Sequence, residues 1–135
     1  MTMGPANIFE LAQRAMSAQT VRMNAAASNM ANAGSAAATE EEAYRPLRPV
    51  FAEELGAVES LRGVSVQAVR RADVAPTKMH QPGHPLADEN GDVWVSPVDE
   101  TEEMVEMLEA SRQYRNMVEA LSTAKQLMLE TMRMK

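Results

Sequence analysis

The pattern of apolar and polar positions predicts a long helix near each end of the chain. Between Ala6 and Ala33 the apolar residues recur at steps of three and four, which is the spacing of one helix face. Neither this stretch nor the stretch from Val98 to Lys135 contains glycine or proline, whereas most glycines and prolines lie between Pro46 and Pro97. At about 1.5 Å per residue, each breaker-free stretch can form a helix of about 40 to 55 Å.

The first helix has recognisable signals at both ends. Pro5 suits the first turn, where its missing N–H costs nothing. At the far end, Asn32 or Gly34 can take the left-handed conformation that closes a helix. The predicted apolar stripe between these ends consists of Ile8, Leu11, Ala12, Ala15, Met16, Met23, Ala26 and Met30.

The second helix is predicted to begin after Asp99. This residue is a suitable N-cap, and Glu102 follows three residues later, as in a capping box. The stripe that follows has near-heptad spacing, which is typical of helices that pack against other helices, and Lys125 interrupts it. Its residues are Met104, Met107, Ser111, Tyr114, Val118, Leu121, Met128 and Met132.

The middle of the chain predicts short β-strands. Residues Gly63 to Val69 alternate between apolar and polar, and Asp92 to Val95 form a second candidate after the turn pair Asn90-Gly91. The segment Tyr44 to Phe51 carries two prolines, so it is extended and at most an edge strand. Met79 to Pro85 is predicted to be a loop.

These elements predict an α+β protein that is mainly α. The N-terminal assembly helix occupies residues 1–35, an extended linker and small β insert occupy 36–97, and the C-terminal assembly helix occupies 98–135. The charge run Glu40 to Glu42 is expected to be a solvated, mobile connector. Because the insert is too small to cover such long helices, the helices must pair with each other as a coiled-coil-like bundle, pair with other subunits, or stay partly disordered.

Composition narrows the function. The 135 residues allow one modest domain, and a net charge of −6 argues against nucleic acid as a partner. The absence of cysteine excludes disulfides and thiolate chemistry. Aromatic residues are 4% while 12 residues are Met, a composition that suits helix packing or adaptable partner surfaces. We expect no cleaved signal peptide and no membrane-spanning segment.

No catalytic or cofactor-binding constellation is predicted. A zinc site at His80 and His84, with Asp88 as a third ligand, would need a helix to bring the histidines together, and Pro82 and Pro85 prevent one. The run from Asp88 to Asp92 imitates the start of a calcium loop but lacks the glycine and glutamate that such a loop requires. A polar loop and turn explain these residues, so we predict no metal, no cofactor and no enzymatic activity.

Both ends of the chain resemble a known family. Ala27 to Ser35, which contains Asn29-Met30-Ala31-Asn32, resembles the N-terminal motif of bacterial flagellar axial proteins of the rod and hook. The runs Glu102 to Met107, Ala110 to Tyr114 and Ser122 to Leu129 resemble the matching C-terminal motif. His84 to Gly91 resembles the segment before the last helix in the short proximal-rod members of that family, and the chain length agrees with them.

The resemblance implies a structural subunit of the flagellar rod in the basal body, crossing the periplasm. Such a subunit is made in the cytoplasm and exported by the flagellar type III apparatus without a cleaved signal. The implied partners are the rod proteins FlgB, FlgF and FlgG, further copies of the chain, and the junction with the membrane ring and export gate. Long amphipathic ends would then fold when neighbours bury their stripes.

The predicted subunit interface follows from the two stripes and this resemblance. The alternative to a rod subunit is a soluble helical adaptor or secretion chaperone with a Met-rich groove, since such proteins are also small and acidic. The predicted interface residues are Ile8, Leu11, Ala15, Met23, Asn29, Met30, Asn32, Met104, Met107, Ser111, Tyr114, Val118, Leu121, Met128 and Met132.

Overall fold

A computed structural model describes residues 5–55 and 62–134 and contains two long helices with short strands between them. The helices pack against each other in antiparallel directions, because Arg22 contacts Glu106 near one end while Ile8 and Met132 line the same groove at the other. Both predicted helices and a strand-containing middle are therefore present. In chain order the elements are α1 (Pro5–Ala31), β1 (Ala36–Ala37), β2 (Leu47–Leu55), β3 (Arg62–Arg71), β4 (Thr77–His80), β5 (Asp92–Val95) and α2 (Glu100–Arg133).

Helix α1 buries small side chains. Ala12, Ala18, Ala25 and Ala26 are all buried, and α1 packs against α2 and the β2–β3 ribbon. Alanine brings backbones close together while adding little side-chain volume to the interior. The packing is therefore close but contributes little apolar area.

The C-terminal end of α1 forms a tight turn. The Asn32 side-chain amide donates to the carbonyl of Ser28 at 2.8 Å, and the Asn32 backbone N–H also donates to that carbonyl. Gly34 has a φ of 72°, which confirms the prediction that a residue here takes the left-handed conformation. The chain is thereby directed into β1.

Helix α2 starts where its capping signal predicts. The Asp99 carboxylate accepts hydrogen bonds from the backbone N–H of Thr101 at 2.9 Å and of Glu102 at 3.4 Å. Acidic residues occupy the first turn, and Arg133 lies in the last turn, so both ends complement the helix dipole.

The strands form two small antiparallel sheets. The β2–β3 ribbon pairs from Leu47 opposite Arg71 to Leu55 opposite Arg62, with a bulge at Gln67 that shifts the register. The ribbon packs on α1. The other sheet has the order β1-β5-β4. The strand predictions for residues 63–69 and 92–95 are confirmed.

Other details of the insert differ from the prediction. Met79 and His80 were expected in a loop but end β4, because they pair with Val93 and Asp92 of β5. This pairing joins β4 to the next strand along the chain, so it depends on β5 and the proline content of Met79 to Pro85 could not indicate it. Strand β1, which pairs with β5, was also not predicted.

The acidic connector is folded into a turn. The backbone N–H of Ala43 donates to the carbonyl of Glu40 at 3.3 Å, and the Ala43 side chain is buried. Glu41 and Glu42 are exposed, as expected for a solvated charge run. The expected mobility stays a prediction.

Removing the α2 cap should reduce stability measurably. We expect Asp99→Ala to lower the free energy of unfolding by about 1 kcal/mol, because two backbone N–H groups lose their acceptor. Asp99→Asn should lose much less, since asparagine caps equally well. Urea unfolding monitored by circular dichroism measures both variants. Equal losses would show that the cap does not act through its hydrogen bonds.

Candidate subunit interface

A buried polar cluster centred on Asn29 joins three elements. Asn29 is 0% exposed, and its Nδ2 donates to the Leu47 carbonyl and to Glu103 Oε2, each at 3.0 Å. Its Oδ1 accepts from the Leu47 backbone N–H and from the Tyr44 hydroxyl, each at 2.7 Å. One side chain therefore links the end of α1, the start of β2 and the start of α2.

Glu103 brings a carboxylate into this cluster. It is 1% exposed and forms an ion pair with Arg48 of β2. The hydrogen bond to this carboxylate raises the pKa of the Arg48 guanidinium above its ordinary value. A buried carboxylate is costly unless it is both paired and hydrogen-bonded, and Arg48 and Asn29 supply these two interactions. The start of α2 is thus tied to β2 as well as to α1.

The rest of the interior contains few large apolar side chains. In the part of the chain that the structure describes, the largest fully buried side chains are Glu103, Val93 and Asn29. Most of the other buried apolar residues are alanines. Large apolar residues instead lie on the surface, which is unusual for a protein that completes its core alone.

Helix α2 carries an inner seam, which is its less exposed face. The seam repeats at alternating steps of four and three residues, as in a coiled coil. Every member is buried or half-buried. The inner seam consists of Glu103, Met107, Ala110, Tyr114, Met117, Leu121, Ala124 and Met128.

A second seam with the same spacing lies beside the first. Each of its positions except Met132 follows an inner-seam residue by one, which rotates it by about 100° around the helix. Met104 is 51% exposed, Leu108 is 62% exposed and Met132 is 70% exposed. This outer seam consists of Met104, Leu108, Ser111, Arg115, Val118, Ser122, Lys125, Leu129 and Met132, all exposed except the half-buried Ser111.

The predicted α2 stripe divides between these two seams. Met107, Tyr114, Leu121 and Met128 belong to the inner seam. The remaining predicted α2 residues belong to the outer seam, where Ser111 is half-buried and the other three are exposed: Met104, Val118 and Met132. A single sequence stripe thus corresponds to one covered face and one open face.

The predicted α1 residues differ in exposure. Asn29 is wholly inside the chain and Ile8 is exposed. The others are half-buried: Leu11, Ala15, Met23, Met30 and Asn32. Ile8 also contributes to an apolar groove between the start of α1 and the end of α2, lined by Ile8, Phe9, Ala124, Leu127, Met128, Thr131 and Met132.

Sequence reasoning missed three residues of this region. Glu103 was treated as a helix-start acid and Arg48 was not singled out, yet they form the buried ion pair. A signal existed for Glu103, because it stands seven residues before the buried Ala110, at an equivalent position of the heptad. Leu108 was also missed, although it follows Met104 by one helical turn.

The histidine region is held by interactions within the protein. His80 Nδ1 lies 3.0 Å from Asp92 Oδ1, and this hydrogen bond, together with the charge of Lys78, lowers the pKa of Asp92. His84 Nδ1 accepts the backbone N–H of Leu86 at 3.0 Å. Among residues 5–55 and 62–134, no group of three His, Asp or Glu side chains is arranged to hold a metal.

Asp88 and Gly91 organise the turn that leads into β5. Asp88 Oδ1 accepts the backbone N–H of Asn90 and of Asp92, each at 2.9 Å, so the carboxylate serves the turn. Gly91 has a φ of 79°, and a Cβ there would lie 3.1 Å from the His80 ring. Both residues thus have local structural roles.

Neither described helix is long and apolar enough to cross a membrane.

Comparison with known proteins finds one consistent group of relatives. The family described as "Flagellar basal body rod FlgEFG protein C-terminal" matches residues 89–134. The "Flagellar basal-body rod protein FlgC" of Salmonella typhimurium is 40% identical over 126 residues, covering 93% of this chain and 94% of that protein. The FlgC proteins of Yersinia enterocolitica and Aquifex aeolicus are 44% and 34% identical, each over 93% of this chain and over 94% and 92% of their own lengths.

Substituting the centre of the polar cluster should destabilise the protein strongly. We expect Asn29→Ala to lower the free energy of unfolding by about 3 kcal/mol, because the Leu47 N–H loses its acceptor and the buried Glu103 loses a donor. Asn24→Ala, on the exposed side of the same helix, should change it by less than about 0.5 kcal/mol. Urea unfolding of both variants makes the comparison. A similar small effect at the two positions would contradict the role of Asn29.

Proposed function

Since the chain belongs to the FlgC family of flagellar basal-body rod proteins, we propose that it builds the proximal part of the rod by packing its helices against those of neighbouring subunits. It is a structural subunit of the basal-body rod and serves motility. The observation that supports the proposed packing is the outer seam, whose apolar members Met104, Leu108, Val118, Leu129 and Met132 are exposed at coiled-coil spacing on a helix whose inner seam is buried or half-buried.

The thin interior supports the same proposal. Burying apolar area contributes about 25 cal/mol per Å², and the alanine-rich contact between α1 and α2 provides little of it. Exposed Met104, Leu108 and Met132 offer the area that the interior lacks. Contacts with neighbouring helices would bury these side chains and thereby stabilise each subunit as it assembles.

We propose a division of roles among the predicted interface residues. The outer-seam members, together with Ile8 at the apolar groove, contact neighbours. The inner-seam members and Asn29 hold α2 on α1 within one subunit, because they are covered by the same chain. This assignment keeps residues 1–35 and 98–135 as assembly helices and residues 36–97 as the linker and insert.

The assembly would use heterologous contacts, in which different faces of two subunits meet. Such contacts continue as an open helix when the rotation between subunits does not close, and a tubular rod requires this geometry. We propose FlgB, FlgF and FlgG, copies of the chain itself, and the junction with the membrane ring and export gate as the neighbours. We further propose type III export without a cleaved signal, which the resemblance of the helical ends to axial proteins supports.

We propose that the chain is not an enzyme. The named relatives are structural rod proteins, and the histidine region that resembled a metal site is engaged in local hydrogen bonds.

The family assignment favours the rod subunit over the adaptor or chaperone. A Met-rich surface fits both, but the seam spacing suits helices that lie side by side over their whole length.

A charge in the outer seam should block assembly without unfolding the chain. We expect Leu108→Asp to abolish complementation of a strain that lacks the gene, because an unpaired carboxylate in an apolar contact costs about 3 kcal/mol, or more than a hundredfold in affinity. Swimming in soft agar and immunolabelling of isolated basal bodies measure the effect. Circular dichroism of the purified variant should retain the parent helix content, since Leu108 is 62% exposed.

Asn116→Asp is the matched control. Asn116 is exposed on α2 but lies outside both seams, so this variant should swim like the parent. Normal rods with Leu108→Asp would contradict the assignment of the outer seam to the subunit interface. Normal rods in the strain that lacks the gene would overturn the proposed function itself.

A further inference from the structure

The methionines of the chain differ in their exposure to solvent. Met104 is 51% exposed, whereas Met107, one turn further along α2, is half-buried in the inner seam. The fold therefore shields some sulfurs and leaves others open to solvent. Among the residues that the structure describes, the exposed methionines are Met79, Met104, Met132 and Met134, and the half-buried ones are Met16, Met23, Met30, Met107, Met117 and Met128.

An exposed thioether is open to oxidation by peroxide. Hydrogen peroxide transfers one oxygen atom to the sulfur: an S–O bond forms, the peroxide O–O bond breaks, and the second peroxide oxygen leaves as water. The sulfur loses two electrons and the peroxide gains them. Methionine sulfoxide reductases reverse the reaction. Because the chain contains no cysteine, its methionines are the sulfur groups that peroxide can oxidise.

Two of the exposed methionines lie in the outer seam. Met104 and Met132 occupy its two ends, and Leu108 and Leu129 beside them are also exposed. A sulfoxide oxygen is a hydrogen-bond acceptor, which water satisfies while the seam is open. Beneath an apolar neighbour this acceptor would lose its hydrogen bonds, which is unfavourable. Oxidation thus makes the outer seam polar, while the inner seam keeps its thioethers.

We infer that Met104 and Met132 form an oxidation-sensitive site through which peroxide controls whether the subunit can assemble. The effect on assembly rests on the proposed function, whereas the order in which the methionines oxidise does not. In the unassembled chain, peroxide converts both thioethers to sulfoxides, and the outer seam then retains its water. The subunit enters the rod only after a reductase restores the thioethers.

Mass spectrometry of the purified chain tests the site itself. The chain is treated with dilute hydrogen peroxide, quenched with free methionine and digested, and each methionine is followed by the gain of one oxygen. We expect Met104 and Met132 to oxidise about fivefold faster than Met107 and Met117, because oxidation of a side chain follows its exposure. In urea the four rates should become equal. Equal rates in the folded chain would overturn the site.

Glutamine substitution tests the effect on assembly. Glutamine is about as long as methionine and carries an acceptor oxygen, so Met104→Gln combined with Met132→Gln imitates the two sulfoxides. We expect this double variant to keep the parent circular dichroism, to lose swimming in soft agar and to reduce immunolabelling of basal bodies about tenfold. The matched double variant with leucine at both positions cannot be oxidised there and should swim like the parent.

Met79→Gln is the control for a polar group added at an exposed methionine. Met79 is 43% exposed on β4 and lies outside both seams, so this variant should swim like the parent. Loss of assembly with the leucine variant would overturn the inference, because the defect would then not follow polarity. Normal rods with the double glutamine variant would also overturn it, and failure of Leu108→Asp in the same strain would leave the seam and rod assignments intact. Normal rods in the strain that lacks the gene would instead contradict the proposed function.

Discussion

The fold depends on one buried amide. The Asn29 Oδ1 accepts hydrogen bonds from the Leu47 N–H and the Tyr44 hydroxyl. The Asn29 Nδ2 donates hydrogen bonds to the Leu47 carbonyl and to Glu103. Its hydrogen-bonding capacity is thus used by three elements that meet at one point. An apolar residue could fill this space but could not distinguish the correct arrangement of α1, β2 and α2 from a slipped one. A displacement of α2 by one turn would leave Glu103 buried without its partners, at a cost of several kcal/mol.

This polar constraint explains why a thin apolar core is sufficient to define the subunit. Alanines along α1 bring α2 and the ribbon close but contribute little burial, so they cannot by themselves fix the axial position of α2. The Asn29, Glu103 and Arg48 cluster fixes that position at one end of the helix pair. At the opposite end of the helix pair, Ile8 and Met128 line one apolar groove, and apolar burial there tolerates sliding better because it is not directional.

The sequence predicts the elements whose signals are local. Asp99 begins α2 and Gly34 follows α1, since capping and left-handed turns depend on residues close in sequence. The alternation in β3 and the β5 strand were likewise predictable. Strands β1 and β4 were not, because each is defined by its pairing with β5 and not by an alternation of its own residues. Glu103 was misjudged for a similar reason: an acidic residue in the first turn looks solvated until the elements carrying Asn29 and Arg48 are brought to it.

At the candidate interface, the sequence pattern does not resolve the angle around α2 at which each apolar residue lies. The predicted stripe on α2 takes residues from both seams, because positions such as Met104 and Met107 lie within one broad apolar arc when the helix is considered alone. The structure divides that arc by covering one side with α1 and leaving the other open. Two heptad seams offset by one residue allow a single helix to contact a partner within its own chain and another outside it. In the proposed assembly, folding and assembly use different faces of α2, so we expect Leu108→Asp to prevent assembly and Asn29→Ala to weaken the subunit itself.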